Sequence, residues 1–134
     1  MRIKSFLISL IYLLKELLDL AEEKILTPQE RILKLIEKTA QKMEVSQKVY
    51  EEGLAVLKCE SGLNPKALNS NKDGSINRGI AQWNSKYWPQ ITDNMAYDPE
   101  IALILFWYYF KQYPKFWTCY NTGAYEKFLE RSQV

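Results

Sequence analysis

With 134 residues, 47% hydrophobic and 25% charged, the chain has the size and composition of one ordinary globular domain. Its net charge of +2 is spread evenly, and no basic stripe interleaved with aromatics appears, which argues against a nucleic-acid partner. The absence of histidine excludes Ser-His and Cys-His catalysis and makes a catalytic zinc site a poor fit, so carboxyl groups are the available proton carriers.

Residues 1–26 admit two readings. Arg2 and Lys4 ahead of the apolar run Phe6–Leu14 look like the start of an export signal or membrane anchor, although the run is too short to span a bilayer and no small-residue cleavage site follows. Ile3, Phe6, Leu7, Leu10, Leu14, Leu17, Leu18 and Ala21 also recur at helical spacing, opposite Lys15, Glu16, Asp19 and Glu22, as in an amphipathic structural helix. A second helix opens at "TPQE", with Thr27 as N-cap, Pro28 at the first helical position and Glu30 completing a capping box. Ile32, Leu33, Leu35, Ile36 and Ala40 give it a buried face.

Val45 and Ser46 start a third helix through Glu60, with Val49, Tyr50, Leu54 and Leu57 on its apolar side and Ser61-Gly62 as its exit. Asp73-Gly74 predicts a small, polar, partly exposed hairpin over residues 68–79, and Gly79 allows a tight return into "IAQWNSKYW". Asp98-Pro99-Glu100 caps a helix "PEIALILFWYYFKQY" that is apolar all round and therefore expected at the centre. Pro114 ends it, and "FWTCYNTGAYEKFLERSQ" gives one or two short final helices.

Glu60 stands at the end of its helix, beside an apolar core and near the negative end of the dipole. Both influences raise a carboxyl pKa, which suits a general acid. Taken alone, a solvated helix-end glutamate is the simpler reading. Asn69, Asn71, Asp73 and Gly74 follow the first half of a calcium loop, but the closing acidic position is Ile80, which argues against calcium.

The surrounding run changes the balance. "ESGLNPKALNSNKDGSINRGIAQWNS", residues 60–85, resembles the active-site segment of c-type lysozymes. "ESGLNPKA", "RGIAQWN" and the later "CYNTG" also resemble the lytic transglycosylase branch of that superfamily, and these motifs cover roughly residues 54–125. Residues 1–44 match neither. The resemblance implies a mainly α, lysozyme-like α+β domain over residues 45–134, with a β-hairpin at the cleft and residues 1–44 as an extra helical segment.

It also implies that Glu60 is the catalytic acid, in an apolar wall supplied by Trp117 or Tyr120. A glutamate raised in an apolar pocket is the established lysozyme pattern. Asn71, Ser75, Gln82 and Asn84 match polar residues on the hairpin side of the cleft, and Tyr87 and Trp88 match aromatics on which sugars stack. Tyr120 and Asn121 match a segment across the cleft from the glutamate. Cys59 and Cys119, one beside each of these regions, are either a disulfide of an extracytoplasmic protein or two buried thiols.

One departure is chemical. Where c-type lysozymes carry a second carboxylate, this chain has Asn77, and Asp73 sits at the turn, expected in solvent. An amide cannot serve as a nucleophile, so the two-carboxylate retaining mechanism is in question. Lytic transglycosylases use one glutamate and the sugar's own 6-hydroxyl. The resemblance therefore implies cleavage of the β-1,4 bond between N-acetylmuramic acid and N-acetylglucosamine in peptidoglycan, with no cofactor, by a monomer outside the cytoplasm. The alternatives are a hydrolytic lysozyme and a non-catalytic glycan-binding or virion module. Membrane association through residues 1–26 is a further expectation.

Overall fold

The structure, a computed structural model, describes residues 2–130. Met1 and residues 131–134, the ends of the two segments expected from the sequence, lie outside the described residues. The chain forms two compact units, Met1–Arg31 and Ile32–Val134.

The first unit is the helix α1, Arg2–Ile25, followed by the start of α2, Pro28–Lys42. The Glu30 amide donates to Thr27 Oγ1 at 3.1 Å, and the Thr27 hydroxyl donates to Glu30 Oε1 at 3.0 Å. Threonine and glutamate thus meet at the helix start, the hydroxyl taking one of the amides that the first turn leaves unpaired. α1 is helical, which both of its readings allow, and its large apolar side chains are exposed. No helix among the described residues is long and apolar enough to cross a membrane.

The second unit is mainly helical with a small antiparallel sheet, an α+β arrangement. α3 is Gln47–Ser61, α4 is Asp93–Tyr97, α5 is Pro99–Phe110 and α6 is the single turn Thr118–Asn121. Tight 3-10 turns cover Pro114–Phe116 and Ala124–Phe128. α3, α4 and α5 share one device: Ser46, Thr92 and Asp98 each accept a backbone N–H from inside the first turn. α3 ends at Gly62, whose φ of 61° is the left-handed C-cap that glycine supplies without strain.

α5 is the centre of the core. Ala102, Leu103, Phe106, Trp107 and Phe110 are buried, while Ile101 and Tyr108 face outward, so the helix is not enclosed all round. Gly53 lets α3 approach it. A Cβ there would overlap the six-membered ring of Trp107. The Trp107 indole N–H donates to Thr39 Oγ1 at 3.1 Å, and that hydroxyl donates in turn to the Leu35 carbonyl, so a buried polar pair is satisfied. Ile36, Thr39 and Ala40 of α2 are therefore part of this core, which reaches into the stretch that the sequence reading kept apart as 1–44.

The expected hairpin is present and has a third strand. β1 (Leu68–Ser70), β2 (Ile76–Arg78) and β3 (Trp83–Asn84) pair antiparallel in that order, with Asn69 opposite Asn77 and Asn77 opposite Asn84. Gly79 makes the return, at φ 76°, with its amide on the Ala67 carbonyl at 2.8 Å. No larger residue fits, because a Cβ would meet the Ala96 carbonyl of α4. Buried Arg78 ties the sheet down, donating to the Trp83 carbonyl at 3.0 Å and to Asp93 at 2.9 Å.

Candidate active site

Glu60 occupies the last turn of α3, and its carboxyl lies in the wall of a cleft of about 720 Å³. The backbone dictates its surroundings. Ser61, next in sequence, donates to the Ile80 carbonyl at 2.6 Å and so pins the helix end against the return from the sheet. Cys59, on the other side, forms a disulfide with Cys119, the Cα atoms 6.2 Å apart. Of the two alternatives open from the sequence, the structure has the bridge.

That bridge brings α6 to the glutamate. The Cys119 N–H lies in the first turn of α6, where no intrahelical acceptor exists, and it donates to Glu60 Oε1 at 2.8 Å. Burial pushes the Glu60 carboxyl above the ordinary glutamate range, and the Cys119 N–H opposes the shift without cancelling it. The apolar side of this setting is Trp117, buried and held by its indole N–H on the Ala81 carbonyl at 2.9 Å. The group is a carboxylic acid kept protonated at pH values where a solvated glutamate has ionised.

The sheet side of the cleft is a network of short polar side chains. Ser75 Oγ accepts from Asn71 and from Asn84, each at 3.1 Å, and donates to Asp73 Oδ1 at 2.6 Å. Asn84 Oδ1 accepts the backbone N–H groups of Lys86 and Tyr87. Ser75 and Asn84 are thus fully engaged within the protein. Gln82 is in the same position. Its carbonyl accepts from Asn69 at 2.7 Å and its amide donates to the Gly79 carbonyl at 2.9 Å, which holds its own backbone at φ 56°. These three line the cleft as rigid structure.

Asn77 differs. Its Oδ1 accepts from Asn84 at 2.9 Å and from Asn71 at 3.2 Å, which fixes the amide orientation. Its Nδ2 has no partner among the described residues, so the donor end of the amide is available to a ligand. Asp73 is exposed at the turn, as expected, and also lines the cleft. The hydroxyl and backbone N–H of Ser75 hold its carboxyl below the ordinary aspartate range, with Lys86 Nζ 3.7 Å away as a lesser contribution.

The aromatic residues divide. Tyr87 lines the cleft and is 71% exposed, the geometry of a stacking platform. Trp88 is half-buried, lying against Trp83, Tyr109 and Phe116, and shows the cleft one side only. Tyr120 and Asn121 are not in the cleft. Tyr120 stacks on Tyr125 at 4.9 Å and meets Phe110 edge-on. The reason is helical rotation: with α6 aimed at Glu60 through Cys119, the next residue turns about 100° away. Sequence reasoning missed Gln90, Lys115, Phe116 and Thr118, which also line the cleft. Phe116, 64% exposed, carried one legible signal, an aromatic two residues after Pro114, the proline expected to end the preceding helix.

No group of three or more potential metal ligands occurs among the described residues. No protein-family model matches the chain, and searches of curated proteins and of solved structures return no match.

Proposed function

We propose that the chain cleaves the β-1,4 bond between N-acetylmuramic acid and N-acetylglucosamine in peptidoglycan, as a lysozyme-like lytic transglycosylase with Glu60 as its single acid and base. The observation that carries the reading is the pairing of Glu60, a half-buried carboxyl whose pKa burial raises, with an amide, Asn77, in one cleft of sugar-binding size. Protonated Glu60 donates to the glycosidic oxygen, and the leaving sugar departs. The Glu60 carboxylate then takes the proton of the muramic acid 6-hydroxyl as that oxygen closes on the anomeric carbon. An intramolecular hydroxyl outcompetes water through its high effective concentration. The Nδ2 of Asn77 supplies a hydrogen-bond donor to the bound sugar, and Tyr87 and Phe116 offer exposed aromatic faces to its rings.

The mainly helical α+β architecture, with a three-stranded sheet beside the cleft, supports the lysozyme-like reading. The disulfide supports an extracytoplasmic site of action. Hydrolysis by the same protein is the second reading. It is favoured by one observation, that ionised Asp73 lines the cleft.

Replacing Glu60 by Gln keeps the shape and removes the transferable proton. Clearing of purified cell walls should fall by at least roughly a hundredfold, the low end for acid–base catalysis, with the near-UV circular dichroism unchanged. Near-wild-type clearing by that variant would remove Glu60 from the role of acid, and absence of clearing by the wild-type protein would leave a non-catalytic glycan-binding module.

A further inference from the structure

The least explained surface of the molecule is α1. Every large apolar residue from Ile3 to Leu20 is exposed, Phe6 and Tyr12 at 67% each, a concentration that isolated domains rarely leave in water. Its charges are sorted along the axis. Residues 2–15 carry three basic side chains, Arg2, Lys4 and Lys15, and no acidic one, whereas residues 16–23 carry four acidic side chains and no basic one.

We infer that residues 2–15 of α1 bind the surface of an anionic lipid bilayer, lying in the headgroup boundary with their apolar side chains in the acyl region. Three features favour lipid over a second copy of the chain. Between Phe6 and Leu14 the apolar side chains run nearly all the way round the helix, with Ile8 and Tyr12 on the side that also bears Lys15 and Asp19. A partner helix covers one narrow stripe, whereas a bilayer boundary accepts the broad apolar arc that Phe6–Leu14 presents. The basic residues sit at the two ends of this apolar stretch, where they reach lipid phosphates while their stems remain among the chains. The segment is also the wrong length to span: 14 residues of helix reach about 21 Å, against a hydrocarbon core of about 30 Å. From Glu16 onward the negative charge is repelled by the same surface, so the attachment ends there. The helix holds on by its first half.

The test is flotation of the full-length protein with vesicles of phosphatidylcholine alone and of phosphatidylcholine containing phosphatidylglycerol. Binding should be at least about tenfold tighter on the anionic vesicles and should weaken with salt. Replacing Arg2, Lys4 and Lys15 together by Gln should weaken anionic binding roughly a hundredfold. Leu10→Asp, in the middle of the apolar stretch, should abolish binding to both. All four tryptophans lie at residue 83 or beyond, so near-UV circular dichroism reports the second unit and shows that each variant keeps it folded. Equal binding to the two vesicle types would overturn the proposal. So would absence of flotation, whether the chain is then monomeric or forms a dimer that Leu10→Asp dissociates.

Discussion

Glu60 connects acidity to stability through one proton. Its pKa is raised on folding, so between the ordinary glutamate value and the raised one the folded protein holds a proton that the unfolded chain has released. Stability from this group is therefore intact at acid pH and falls as pH rises through the folded pKa. Glu60→Gln removes the titration and can still accept the Cys119 N–H. Its melting temperature should exceed that of the wild type at pH 8 and converge with it near pH 4. The opposite order would mean that the carboxyl is stabilised as an anion. Activity should fall on the same alkaline limb, since only the protonated form can donate. Asn77 gives a second prediction at this scale. Its Oδ1 already accepts two amide N–H groups, so an aspartate fits the same network and is held ionised by it. Asn77→Asp should fold normally and remain active, and should add reducing-end products to the mixture. Loss of folding would contradict the network as described. The position of Glu60 in the last turn of α3 was legible in the sequence because a helix end is a local feature. The engagement of Ser75, Gln82 and Asn84 by one another was not, because it depends on the register of three strands.

At the scale of elements, the setting of Glu60 is α3 held to α6 and α3 packed on α5. The Cys59–Cys119 bridge spans a sequence separation of 60 and brackets the Glu60–Cys119 hydrogen bond. By the chain-entropy estimate such a bridge contributes about 4 kcal/mol. Reduction should lower the melting temperature by several degrees and reduce wall clearing, as α6 loses its hold on Glu60. Two titratable thiols in the native, air-exposed protein would refute the bridge. On the other side of α3, Gly53→Ala forces a methyl against the Trp107 ring and should cost about 1–3 kcal/mol, measurable by urea unfolding. A neutral substitution there would show that α3 and α5 are not in contact at this point. Helix starts were readable because Ser46, Thr27 and Asp98 cap their own chains. β3 was not, because Trp83-Asn84 has no strand pattern of its own and is extended by pairing with β2. Tyr120 was misplaced for a related reason: adjacency to Cys119 in sequence says nothing about which side of a one-turn helix faces the cleft.

For the whole molecule, every residue of the buried core lies at Ile36 or later. Deleting residues 1–26 should therefore leave the melting temperature of the remainder, and its action on solubilised glycan strands, unchanged. A clear drop in melting temperature would show that α1 stabilises the second unit. The domain's helical class and the cleft's sheet-side wall could be read from periodicity and from Asp73-Gly74. The opposite wall, with Lys115 and Phe116, arises only when the chain beyond α5 folds back, a long-range event without a local signature. One carboxyl acting with an amide in place of a second carboxyl has a direct chemical readout in the mass of muropeptides released from purified walls. The expected products end in 1,6-anhydro-N-acetylmuramic acid, lighter by one water than hydrolytic products and absent with Glu60→Gln. Products bearing only reducing-end muramic acid would contradict that mechanism.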